Sequence, residues 1–201
     1  MLITFLAIGN SAFGEETKVQ GFQWPTPTGW RTESIPFPLE FAPDIQHRGT
    51  VEVRFSPGFK DPDEVGFWSY AFVWWLEDVV PLTKELLADE LKRYYLGLSK
   101  AVAGDKYVIH AEDFKAALFE EVVTNPYSSG YRGTIDSFDP FKTGKPLRLT
   151  VRIRVGTCEA AKRHFVLVEA SPQPMNAVVW TSLSQVADSF QWSATGSEKE
   201  K

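Results

Sequence analysis

The chain has 201 residues, with Lys+Arg 21 against Asp+Glu 26 and a formal net charge of −5. At 43% hydrophobic and 23% charged, its composition is that of a chain that buries a core, and disorder throughout is excluded. One cysteine excludes an internal disulfide framework and any multi-cysteine zinc or iron–sulfur centre, and the acidic balance gives no basis for nonspecific nucleic-acid binding.

The amino end reads as an export signal. Residues 2–8 are an apolar run, and Ala12 and Gly14 place two small side chains at the spacing a signal peptidase accepts. No Lys or Arg precedes Lys18, so a basic leading region is missing. A first strand is the alternative. The run is far shorter than the roughly 20 residues a membrane span needs, and no later apolar stretch is long enough either. Segment 1–14 is therefore expected to be removed and the remainder to be an exported, soluble protein, periplasmic or secreted.

Residues 15–34, broken by Pro25, Pro27 and Gly29, read as an extended lead-in, with Trp24 and Trp30 as tethers or exposed contacts. Apolar residues at 35, 37, 39 and 41 alternate as in a strand, and Pro36 and Pro38 put that strand at a sheet edge. Val51, Val53 and Phe55 mark a second strand. Phe67–Leu76 is aromatic on both faces and reads as a central strand covered on each side. Thr83 then caps a helix over 84–103, in which Leu87, Leu91, Tyr94, Leu98 and Ala101 share one face and Gly104 follows the end.

Four further strands are expected at 114–123, 131–138, 147–155 and 164–170, with a turn near 156–162 that holds Cys158. Val179, Leu183, Val186 and Phe190 mark a second helix over 177–191, and the polar tail 193–201 is expected to be disordered. The fold class is thus α+β: one layered domain over 35–192, mainly an antiparallel sheet of about seven strands with two amphipathic helices. The order is three strands, a helix, four strands and a helix.

The phrases Phe37-Pro-Leu-Glu-Phe-Ala-Pro-Asp-Ile45, Val53-Arg-Phe-Ser-Pro-Gly-Phe59 and Phe67-Trp-Ser-Tyr-Ala-Phe-Val-Trp-Trp75 resemble an uncharacterised family of exported bacterial proteins. That resemblance implies export and no activity. The order of elements is also similar to the Mog1/PsbP-like α/β/α fold, whose functional residues have no counterpart motif here. Fold by itself does not imply function.

Chemistry-bearing clusters are few. His110, Glu112 and Asp113 group an imidazole with two carboxylates, as a general acid/base pair or metal site requires, but the spacing fits no zinc motif and a solvated cluster is the alternative. Arg148, Arg152 and Arg154 alternate along one strand and suit an anionic ligand or an acidic partner; cross-strand pairing with Asp136, Glu120, Glu121 or Glu169 is the competing reading. Cys158 lacks an orienting acid–histidine pair. No cofactor is expected, and no catalytic motif of high specificity is present. The sequence therefore favours a non-enzymatic domain that binds a protein or small-molecule partner through Arg148, Arg152, Arg154, Trp24 or Trp30. The alternatives are a hydrolase or metal-assisted enzyme using His110, and an envelope assembly factor with an arginine patch.

Overall fold

The computed structural model of the protein describes residues 21–77, 80–124 and 126–192, so the signal-like segment 1–14 and the tail 193–201 lie outside the described residues. The strands are β1 (Phe22–Gln23), β2 (Arg31–Phe37), β3 (Gly49–Phe55), β4 (Tyr70–Leu76), β5 (Lys115–Glu121), β6 (Ser129–Phe138), β7 (Pro146–Cys158), β8 (Arg163–Ser171) and β9 (Gln191–Trp192). The helices are α1 (Lys84–Ala103) and α2 (Val178–Asp188). Seven strands form one antiparallel sheet in the order β2-β3-β4-β8-β7-β6-β5, and β1 pairs with β9 in a separate two-stranded sheet. This is the α+β domain the periodicities imply, with a two-stranded addition.

The sheet is sandwiched. Tyr70, Phe72 and Trp74 of β4 face α1, whose Leu87, Leu91, Tyr94 and Tyr95 complete the larger core. Tyr94 stacks on Phe72 with ring centroids 5.6 Å apart and an interplanar angle of 6°. Ala71, Val73 and Trp75 face the other way, into a second cluster with Phe165, Val186, Ala187 and Phe190. All seven residues of β4 are buried for this reason. The aromatic row is core beneath a helix.

Helix α1 starts where Thr83 Oγ1 accepts from the Leu86 backbone N–H and stops where Gly104, at φ +51°, donates its N–H to the Lys100 carbonyl. Its bounds match the periodicity. Other boundaries differ. The first main-sheet strand runs over Arg31–Phe37, and Leu39–Phe41 belong to a turn in which the Ala42 N–H donates to the Leu39 carbonyl. Their alternation arose because Leu39 and Phe41 pack into the α1 core from a turn. Trp68 lies outside β4 at φ +49° yet remains buried in that core.

Strand β7 extends through Cys158, and its register with β8 pairs Cys158 with Arg163. The turn is thus confined to Glu159–Lys162, and Cys158 sits buried at the end of a strand. Gly156 does not break the strand: a Cβ there would meet the Phe165 ring at 2.3 Å, so glycine lets the ring lie against the backbone. Helix α2 is shorter than its apolar pattern, because Phe190 already belongs to the turn leading into β9.

Candidate functional site

A cleft of about 500 Å³ opens at one end of the sheet, where the segment after α1 meets the end of β6 and the start of β7. A short 3₁₀ turn, Ala111–Asp113, carries His110, Glu112 and Asp113 to its rim. From the other side come Asp136 and Arg148, which the β6–β7 register sets opposite each other. Ile109, Phe138 and Leu147 supply apolar wall. Two clusters that are far apart in sequence therefore share one hollow.

The polar groups of this cleft differ in how firmly they are held. Arg148 Nε donates to Asp136 Oδ1 at 2.6 Å and Nη2 to Asp136 Oδ2 at 3.2 Å, a bidentate pair that raises the guanidinium pKa above its ordinary value. His110 Nδ1 lies 3.9 Å from Glu112 Oε1, and both side chains are largely exposed, so nothing fixes the imidazole. Ser137 is the buried polar member. It is 3% exposed, and its Oγ has no hydrogen-bond partner among the described residues. Among the described residues no group of three or more His, Cys, Asp or Glu is placed to hold a metal ion.

Arg152 and Arg154 lie elsewhere, under α2. Glu169 of β8 is 1% exposed; its Oε1 is 3.5 Å from Arg152 Nη1 and its Oε2 3.4 Å from Arg154 Nη2. Ser184 Oγ of α2 donates to Glu169 Oε1 at 3.0 Å, and Arg154 Nη1 donates to Asp188 Oδ1 at 2.6 Å. Burial pushes the Glu169 carboxyl up more strongly than the two guanidiniums pull it down. Burial depresses Arg154 too, but Glu169 and Asp188 outweigh it and leave the guanidinium raised. The three arginines thus form two assemblies. Arg148 faces the cleft, while Arg152 and Arg154 fasten a helix to the sheet.

The two tryptophans pin the lead-in. Trp24 is buried, donates from Nε1 to the Val186 carbonyl at 2.9 Å, and lies under the Arg54 guanidinium at 4.5 Å from its ring centroid. Trp30 is half-buried against Val179, Trp180 and Leu183.

No family model matches the chain, and no curated protein matches it. Among solved structures it is similar to that of LpqN, described as involved in cell envelope biogenesis of Mycobacterium tuberculosis. The identity is 16% and the TM-score 0.34, over 85% of this chain and 82% of that one. A likeness at that level carries no argument about function.

The sequence reading missed the walls of the cleft. Ser137 and Phe138 are unremarkable strand residues, and Leu147 is one more apolar position in an alternating run. Their grouping depends on the β6–β7 register, for which the only sequence signal is the opposite charge of Asp136 and Arg148.

Proposed function

We propose that this chain is an exported, non-enzymatic domain of helix–sheet–helix, Mog1/PsbP-like class, which binds a small amphipathic ligand in the cleft at the end of β6 and β7. The observation that carries this reading is the Ser137 hydroxyl, buried without a partner among the described residues in a strand end that lines the cleft together with apolar Leu147 and Phe138 and the Arg148–Asp136 pair. A buried hydroxyl with no partner is costly, and a ligand oxygen or nitrogen reaching it removes that cost. Apolar walls with a few convergent polar groups are the usual composition of a ligand site. Export is supported by the composition of residues 1–14.

The test is a fragment screen by protein-observed NMR on the full chain. Binders are expected to shift the amides of Ser137, Phe138, Leu147 and Arg148 together. Leu147→Trp, which fills the hollow, is expected to weaken them by about tenfold or more. Fragments that bind Leu147→Trp unchanged, or a screen in which no binder shifts those amides, would remove the reading. Sustained turnover of any substrate, abolished by His110→Ala, would replace it with an enzymatic one. Mass spectrometry of protein recovered outside the cytoplasm, expected to begin at Glu15, tests export.

A further inference from the structure

The two edges of the main sheet are built differently. At one edge β2 carries Pro36, with Pro38 immediately after the strand, and both prolines are exposed. Proline cannot donate to a ladder, so that edge is blunted against further pairing. At the other edge lies β5, Lys115-Ala-Ala-Leu-Phe-Glu-Glu121, which has no proline or glycine and, among the described residues, pairs on one side only, with β6. Its face toward α1 holds Leu118 in the core, whereas among the described residues no helix packs on the opposite face, since α2 packs on β8 and β4. Phe119, on that opposite face, is 65% exposed. An unprotected edge with an exposed aromatic is a template for another strand.

The charge pattern of β5 says which strand. Reversed against itself about Leu118, the segment sets Lys115 opposite Glu121 twice and Phe119 opposite Ala117 twice. In antiparallel pairing, directly opposed residues share a face, so each Lys–Glu couple meets and each phenylalanine is partly covered by its neighbour. Moving the centre to Ala117 pairs Lys115 with Phe119. Moving it to Phe119 pairs Glu121 with Ala117, and either shift loses both ion pairs. Neither Lys115 nor Glu121 has an ion-pair partner among the described residues. Of the three registers, only the one centred on Leu118 pairs Lys115 with Glu121.

We propose that β5 is a self-pairing edge, through which two copies of this chain join antiparallel about a two-fold axis at Leu118 into one continuous sheet. The interface is isologous and closed, since among the described residues the main sheet of each copy offers one open edge and a blunted one. It goes beyond ligand binding in the cleft and does not depend on it.

Sedimentation velocity of the full chain over a concentration series tests it, read as mass relative to the 22.7 kDa monomer. The chain is expected to populate a dimer as concentration rises. Lys115→Glu turns both couples repulsive and is expected to weaken the dimer about tenfold or more, with an unchanged circular dichroism spectrum. Combining Lys115→Glu with Glu121→Lys restores both couples in reverse and is expected to recover dimerisation to within about threefold. A chain that stays monomeric at every concentration overturns the proposal, as does a dimer indifferent to Lys115→Glu or a double variant that stays apart. Species that grow beyond a dimer overturn the closed pair. Lys115 also borders the cleft, which is why mass and not ligand affinity is the readout.

Discussion

At the residue scale, single polar side chains organise segments that the hydrophobic pattern leaves loose. Asp139 is the clearest case. Its Oδ1 accepts from the indole N–H of Trp68 at 3.0 Å and the Phe141 N–H at 3.0 Å, and its Oδ2 from the Thr143 N–H and Oγ1, both at 2.7 Å. One carboxylate thus shapes the β6–β7 turn and ties it to the loop before β4. Burial raises its pKa, but these hydrogen bonds outweigh that and hold it below the ordinary 3.8. A carboxyl depressed by folding contributes stability above its unfolded value, and that contribution is lost as pH falls through the folded value. Asp139→Ala is expected to cost about 2 kcal/mol at neutral pH and to flatten the loss of stability below about pH 4. Urea unfolding of both proteins across that range checks it; parallel acid-side declines would refute the assignment. The Tyr70 hydroxyl, deep in the core, donates to that of Tyr95, and burial pushes both phenols up. Tyr70→Phe is expected to cost about 1–3 kcal/mol by stranding the Tyr95 oxygen, and Tyr70→Phe with Tyr95→Phe to cost less than that single change. A double-mutant cycle by chemical denaturation reads the difference, and additive losses would count against it.

At the element scale, α1 offers a test in which local propensity and packing disagree. Gly97 lies within the helix, where alanine normally gains about 1 kcal/mol. Here a Cβ would stand 2.0 Å from the Phe41 carbonyl oxygen, so the glycine exists for the close approach of α1 to the turn after β2. Gly97→Ala is therefore expected to destabilise by about 1–3 kcal/mol, measured by thermal or urea unfolding; a more stable variant would refute that contact. The helix itself was legible because Leu87, Leu91 and Tyr94 bury one stripe and Thr83 and Gly104 bracket it. The start of β2 was not, because Arg31–Ser34 form a wet edge with no apolar alternation to reveal it. Nor were β1 and β9, two residues each, whose pairing depends on ends that meet only after folding. Asp136 and Glu169 were legible as cross-strand partners of the arginines because opposite charge on facing strands is a local rule. Which arginine faces a cleft and which a helix depends on where α2 docks, and Arg148 carries no mark of that in its own sequence neighbourhood.

At the scale of the whole molecule, the two cores are halves of one sheet. Trp68 and Trp74 report from the α1 side, and Trp24, Trp75 and Trp180 from the α2 side, while β4 and β8 contribute to both. Shared strands cannot lose one cover without exposing the other face to water, so unfolding is expected to be a single transition. Tryptophan emission and far-ultraviolet circular dichroism followed through a urea titration are expected to superimpose. An early fluorescence change with the secondary structure retained would show that the α2 layer melts separately.

The small β1–β9 pairing sets Phe22 directly opposite Trp192, with Trp24, Phe190 and Trp192 gathered around it. Both ends of the described chain therefore leave the body at one seam. Topologically the domain is nearly a closed ring. Phe22 and Trp192 stand side by side at this seam, so an attachment made at either of these two positions would hold the molecule at the same pole. A short bridge across that seam would also allow the backbone to be reopened elsewhere, as at the exposed Glu159–Ala160 turn, with the order of the elements cycled and their neighbours unchanged.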